Sequence, residues 1–297
     1  ALRASKIQPR TQRSVMFGWF RSKRQKEKEE EEKAKEKERE ERQKKQDVEA
    51  KEDEALISKM IRKCKRFQDD SETRELFVLT LGGSFNPVHK EHIQALEMAR
   101  KTLRKKGYEV LGGFLGVSSK KHVVRKVGWK DAITLEHRVQ MCRLATHSSD
   151  WIETVPWGWA NSAAISRRVC DIAQPILPKH IKLIPCQVIG ADHGVSWLQF
   201  CSKDCHVVCA RRPPYTKPVL ELLDKEKNPG NFHLTKEELK GFSSTNIRKA
   251  VNSKDYEMLA EGGWVDENVN HHLHSAVSFY MREYEVLSSS LHLCFVR

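Results

Sequence analysis

His89 and His92 stand three residues apart, a spacing that puts both imidazoles on one face of a helix's first turn. Imidazole N–H groups can donate to phosphate oxygens, and the amides of a helix N-terminus attract the same ligand. The residues ahead of the pair suit that chemistry. Leu76 to Leu81 is an almost unbroken apolar run, the pattern of a strand buried on both faces. Gly82 and Gly83 follow at once, where the backbone can turn tightly and leave its N–H groups uncovered. Ser84, Phe85, Asn86 and Pro87 lead into a helix that the spacing of Ile93, Leu96, Met98 and Ala99 starts near Val88 or His89. Strand, glycine turn and helix start together make a candidate phosphate site of Gly82, Gly83, Ser84, Phe85, His89 and His92.

A second constellation lies far along the chain, where Gly241 and Phe242 run into Ser243, Ser244, Thr245, Asn246, Ile247 and Arg248 ahead of a helix predicted over Ile247 to Asn252. Three residues that can cap a helix account for themselves as caps. With an arginine one turn on, they can also grip phosphate oxygens.

Between these two stretches, strand and helix patterns alternate. Tyr108 to Val117 reads as a strand, Ser118 to Lys130 as a basic loop carrying Lys120, Lys121, Arg125 and Lys126, and Leu135 to His147 as a helix. Trp151 to Val155 reads as a short strand, Asn161 to about Leu177 as a helix, and Ile181 to Ile189 and His206 to Ala210 as further strands. Pro213 to Lys240 reads as an insertion or long loop with Asn228-Pro229-Gly230 as a turn. Alternation at this pitch implies an α/β fold, a Rossmann-like and mainly parallel sheet with helices on both faces. Ligands of such sheets collect at the carboxyl ends of strands, where Gly82, Gly83, Asp192 and Arg211 fall.

The positions ahead of this pattern are different in kind. Up to about residue 22 the chain carries arginines and lysines and no acid; from Arg24 to Glu54 it is almost wholly Lys, Arg, Glu and Gln, without an apolar seam. This predicts a basic tail and a charged helical or disordered arm over 1–54 and a folded domain over 55–297, opened by the amphipathic Ala55 to Phe67. The acid-free start has the composition of an organelle presequence or of a plain tail, and would favour weak contact with anionic surfaces, in keeping with the formal net charge of +13. No apolar run is long enough to span a bilayer. Eight cysteines without paired spacing fit reduced thiols and an intracellular, cytoplasmic or nuclear setting. Cys201, Cys205 with His206, and Cys209 form the nearest thing to a cluster, and the strand pattern through them argues against a metal site.

Gly82 to His92 resembles the G-x-F-x-P-x-H-x-x-H signature of the nucleotidyltransferase superfamily, and Ser243 to Arg248 resembles the I-S-S-T-x-I-R signature of its adenylyl-transferring members. His137-Arg138, Met141, Leu144-Ala145, Ser149 to Ile152, Trp157 and Gly190-Ala191-Asp192 are similar to the stretch between these signatures in eukaryotic nicotinamide/nicotinate mononucleotide adenylyltransferases. The similarity covers roughly residues 74 to 285. It implies a reaction in which a mononucleotide phosphate attacks ATP, with Mg²⁺ accompanying the nucleotide and a homo-oligomer left open. Carried over residue by residue, it implies phosphate contacts from His89, His92 and Arg248 as the catalytic set and from Gly82, Gly83, Ser84, Phe85, Ser243, Ser244, Thr245 and Arg211. Trp157, Asp192 and Lys121 would serve the acceptor, with Trp151 a further aromatic face. The chain departs from the family where D-x-W-E becomes Val155-Pro156-Trp157-Gly158 and where a second ring-stacking tryptophan has only Trp197 as candidate. Those departures bear on the acceptor, so a phosphopantetheine, flavin or cytidylyl acceptor, or a nucleotide-binding scaffold without activity, stays open.

Overall fold

Ten residues, Arg74–Gly83, form the central strand β1 of a six-stranded parallel sheet ordered β3-β2-β1-β4-β5-β6. The other strands are β2 (Glu109–Val117), β3 (Ile152–Val155), β4 (Ile181–Gly190), β5 (His206–Arg211) and β6 (Phe232–Glu238). The structure, a computed structural model, describes residues 50–67, 72–159, 161–198, 206–225 and 230–253, with isolated helical positions between 36 and 47. The basic start, most of the charged arm, Cys201, Cys205, the Asn228-Pro229 part of the expected turn, the Trp197 side chain and everything after 253 lie outside the described residues.

The chain divides into two units, Ala1–Ala55 and Leu56–Arg297. In the first, the described positions are helical and nearly all exposed, and Gln43 Nε2 donates to Asp47 Oδ1 one turn on at 2.8 Å.

The second unit explains why β1 reads as one apolar run. Alternating side chains serve two cores. Phe77, Leu79 and Leu81 join one face, covered by α2 (Lys90–Lys105), α4 (Leu135–Thr146) and α8 (Ser244–Asn252). Leu76 and Val78 join the other, covered by helical residues 56–64 (α1) and α5 (Ser162–Ala173). Beyond β4 that second layer continues as α6 (Ala191–Leu198) and α7 (Thr216–Lys225), where Val219 packs with Ile189, Val207 and Phe232. Leu56, Ile57, Met60, Cys64 and Phe67 carry the predicted amphipathic stripe into this core. Two glycines let layers close: a Cβ on Gly82 would meet Ser162 Cβ at 2.9 Å, and one on Gly113 would meet the Trp151 ring at 2.5 Å.

Three expectations fail. The basic stretch after β2 is not a loop but helix α3 (Lys120–Val127), whose N-cap Ser119 accepts the His122 N–H at 3.3 Å and whose Val123 is its buried anchor. The supposed insertion after Pro213 holds α7 and β6. β6 is an edge strand, so Thr235 and His233 turn inward while Lys236 stays exposed, and its apolar signal is thin. The helix expected to Leu177 ends at Ala173 and tightens into a 3₁₀ turn over Gln174–Ile176. Among the described residues no helix is long and apolar enough to cross a membrane.

Candidate functional site

Because every strand runs the same way, β1, β2, β3, β4 and β5 end on one edge, and strand order reverses between β1 and β4. That switch point is where open α/β sheets place ligands. The turn leaving β1 there is held from several sides. The Gly83 carbonyl accepts both the N–H and the hydroxyl of Ser118, at 2.9 and 3.0 Å. The Ser84 carbonyl accepts Arg138 Nη1 at 2.7 Å, from a guanidinium wholly buried in α4. Asn86 donates to the Asp131 carbonyl at 2.8 Å and accepts the Ile133 N–H at 2.9 Å, which ties the entry of α4 to the turn. So constrained, Phe85 holds φ at +43°, a left-handed conformation uncommon outside glycine and enriched where backbone is fixed for function. Its ring packs edge-on to His92, centroids 4.9 Å apart.

His89 is the N-cap of α2, with extended backbone, and α2 begins at Lys90 rather than at Val88 or His89. The N–H of His89 donates to His92 Nδ1 at 3.0 Å, so the neutral His92 ring carries its proton on Nε2. The two rings lie 3.7 Å apart at 30°. His89 is 6% exposed, and its Nδ1 has no hydrogen-bond partner among the described residues. Burial, aided by the nearby Arg212 charge, pushes its pKa down to about 3. Burial, then His89 and Arg212, push His92 well below the usual imidazole value. Both rings are therefore neutral at pH 7, each with one N–H to give.

The second motif arrives at the same place. Ser243 caps α8 by accepting the Thr245 N–H at 3.1 Å. Ser244 Oγ donates to the Pro87 carbonyl at 2.9 Å, and Arg248 Nη1 to the Asn86 carbonyl at 2.8 Å, while its Nη2 reaches Thr245 Oγ1 at 3.3 Å. From the other side, the Glu91 carboxylate accepts the N–H groups of Gly241 at 2.9 Å and Phe242 at 2.8 Å. Sequence positions some 150 apart thus share one edge of the sheet.

Other expected site residues are placed less tightly. Arg211, the last residue of β5, turns toward β6 and donates to the Lys236 carbonyl at 3.1 Å. Arg212, one residue on and so on the other side, carries the charge felt by both histidines, and its Nη2 donates to the Phe242 carbonyl at 2.7 Å. Lys121 is exposed in the first turn of α3, and Asp192 stands in the first turn of α6 with a carboxylate oxygen 3.7 Å from His193 Nε2. Trp157 follows β3, half-buried, and its ring lies 5.0 Å from that of Trp159, which is 41% exposed. Trp151 is no exposed face: it is buried on Gly113, its Nε1–H donates to Glu97 at 2.6 Å, and the Arg100 guanidinium covers its ring at 4.6 Å.

Glu91, Arg212 and Trp159 carried no role from sequence. Arg212 needed only the alternation of a strand end, and Trp159 its spacing from Trp157. Nothing local marks Glu91.

Fold and site define a doubly wound α/β protein in which the N-termini of α2 and α8 meet at the topological switch point. Residues 80–250, more than half of the chain, match the cytidylyltransferase-like family, and the chain belongs to it. It is also similar to nicotinamide/nicotinic acid mononucleotide adenylyltransferase of Arabidopsis thaliana, 36% identical over 91 residues that cover 31% of this chain and 36% of the relative. Nicotinamide/nicotinic acid mononucleotide adenylyltransferase 2 of Xenopus tropicalis is 40% identical over 89 residues, covering 29% and 27%, and the unnumbered adenylyltransferase of Oryza sativa subsp. japonica is 34% identical over 84 residues, covering 28% and 32%. The aligned stretches thus span between 27% and 36% of the length of these relatives.

Proposed function

We propose that the chain transfers an adenylyl group from ATP to nicotinamide or nicotinate mononucleotide. An oxygen of the mononucleotide 5′-phosphate attacks the α-phosphorus in line; the new P–O bond forms as the bond from the α-phosphorus to the bridging oxygen breaks, and pyrophosphate leaves with that electron pair. No protein nucleophile is needed, since positioning and neutralising the developing charge supply most of the rate.

The observation that carries this reading is the meeting of the two motifs: Arg248 donates to the Asn86 carbonyl and Ser244 to the Pro87 carbonyl, so the start of α8 is bonded to the turn that leads into His89 and His92. His92 Nε2–H, the α2 amides, Ser243 and Arg248 are donors of the kind a triphosphate takes. Arg212 adds positive charge beside them. Among the described residues no three acidic, cysteine or histidine groups gather as a metal site. The N–H and O–H donors named above suit phosphate oxygens and not a metal ion; Mg²⁺ would come with the nucleotide substrate and offset the charge of its phosphates. On the acceptor side, the faces of Trp157 and Trp159 suit a planar pyridine ring, with Asp192 for ribose hydroxyls and Lys121 for the acceptor's phosphate. The relatives named above are adenylyltransferases of the same two mononucleotides, which favours these acceptors.

The test is ATP and Mg²⁺ with a panel of phosphorylated acceptors that includes both mononucleotides, reading pyrophosphate and dinucleotide. Equimolar pyrophosphate and dinucleotide with either mononucleotide is the expected result. Pyrophosphate with neither would reject the acceptor, and none with any acceptor would reject the transfer.

A further inference from the structure

Glu91 lies between the two site histidines in the first turn of α2, where an acidic side chain is ordinarily a solvated partner of its own helix amides. Instead it is 2% exposed, and both oxygens are spent on the backbone of the loop that leads into α8. We infer that Glu91 is a positioning residue that sets the spacing between the two halves of the phosphate cradle, His89 and His92 on α2 and Ser243 and Arg248 on α8. The inference rests on the nucleotidyltransfer reading.

Phe242 is the peptide that is fixed. Its N–H is held by Glu91 and its carbonyl by Arg212, so the residue just ahead of the Ser243 cap is gripped from both sides. Gly241 precedes it at φ +90°, a conformation that side chains resist, and its N–H takes the other carboxylate oxygen. A carboxylate suits this place because it offers two acceptors and no donor, and charge-assisted bonds to amides are the stronger kind. Glutamine has a single acceptor oxygen and would set an N–H against an N–H. Aspartate keeps both oxygens on a stem one methylene shorter. Tertiary attachment alone would make Glu91 matter for folding; positioning makes it matter for the triphosphate, because Arg248 and the Ser243 cap move with the loop, while the acceptor side is built on other elements.

The test compares the full chain with Glu91→Gln and Glu91→Asp, measuring tripolyphosphate affinity by calorimetry, KM for ATP and for the mononucleotide, kcat, and Tm. Glu91→Gln should weaken tripolyphosphate binding and raise the KM for ATP by about tenfold, and lower kcat, with the acceptor KM held within about twofold. Glu91→Asp should recover kcat/KM to within about threefold of the parent. Glu91→Gln with unchanged tripolyphosphate affinity and unchanged KM for ATP, or with a lowered Tm as its sole effect, would overturn the inference. A parent chain that binds tripolyphosphate yet releases no pyrophosphate from ATP would overturn the transfer reading instead, and the ratio of tripolyphosphate affinities would still decide whether Glu91 sets the cradle.

Discussion

His92 Nδ1 accepts the backbone N–H of His89 at 3.0 Å, and this one bond settles which nitrogen of His92 faces outward as a donor. A side chain that reaches back to its own helix's N-cap is fixed in rotamer and tautomer before any ligand arrives, and preorganised donors are the ones that count in charge stabilisation. His92→Ala should therefore lower kcat by at least about a hundredfold, the scale on which loss of one preorganised donor is felt. Steady-state kinetics alongside a melting curve decides it. Turnover near that of the parent in a folded variant would remove His92 from the chemistry.

The neutral state of the pair has a consequence for stability. The folded-state pKa of His89, about 3, lies below the ordinary value of 6.5, and His92 is displaced the same way. Between those limits the unfolded chain binds more protons than the folded one, so stability rises with pH. It is fully present above 6.5 and is lost progressively as pH falls from 6.5 toward 3. His233, lowered to about 4 by burial and by Lys106, adds to the same slope. Denaturant titrations between pH 4 and pH 8 should show the loss, and His89→Asn, which puts a residue favoured at helix N-caps there and removes one titration, should flatten it. A slope unchanged in that variant would mean that His89 titrates alike in both states.

Trp157 and Trp151 can be told apart by what each removal disturbs. Trp157→Ala should raise the acceptor's KM severalfold or more with ATP's KM nearly unchanged, since its half-buried ring, 5.0 Å from that of the exposed Trp159, is the face proposed for the pyridine ring. Equal effects on both substrates would assign Trp157 to packing.

Trp151 is core, and Gly113 shows it. A side chain at 113 has no room against the indole, so Gly113→Ala should cost about 1–3 kcal/mol by overpacking, read as a lowered denaturation midpoint. The folded fraction should keep both KM values. A variant as stable as the parent would mean that the indole swings aside freely, against its bond to Glu97 and its cover by Arg100.

How much of this was legible in the sequence depends on whether the signal is local. β1, the glycine turn and α2 are local: an apolar run serving two cores, a residue type that permits close approach, and a helical spacing, all within one stretch. The cap at Ser243 is equally local, although α8 begins at Ser244 and not at Ile247. β6 escaped because an edge strand needs little apolar character, and α3 because a single buried valine is too weak a periodicity to set against so many charges. Arg211 drew attention as a strand end, but the pleat sends it to β6 and gives the histidines Arg212. Glu91 could not be read at all, since its meaning lies in two amides on the far side of the chain.

The charged arm gives the last prediction. From Leu56 onward apolar residues are buried in the core beneath α5, whereas the described positions before it are almost all exposed. Every proposed phosphate contact lies beyond residue 80, and none of them falls among the described positions before Ala55. We propose that 55–297 is the functional domain, and that a chain beginning at Ala55 keeps kcat within about threefold of the 297-residue chain, because removing exposed helical positions takes away no preorganised donor. The measurement pairs kcat with a melting curve for both chains. Retention of the fold with loss of turnover would show that the arm contributes to the active assembly, and the division at 54 and 55 would have to be withdrawn.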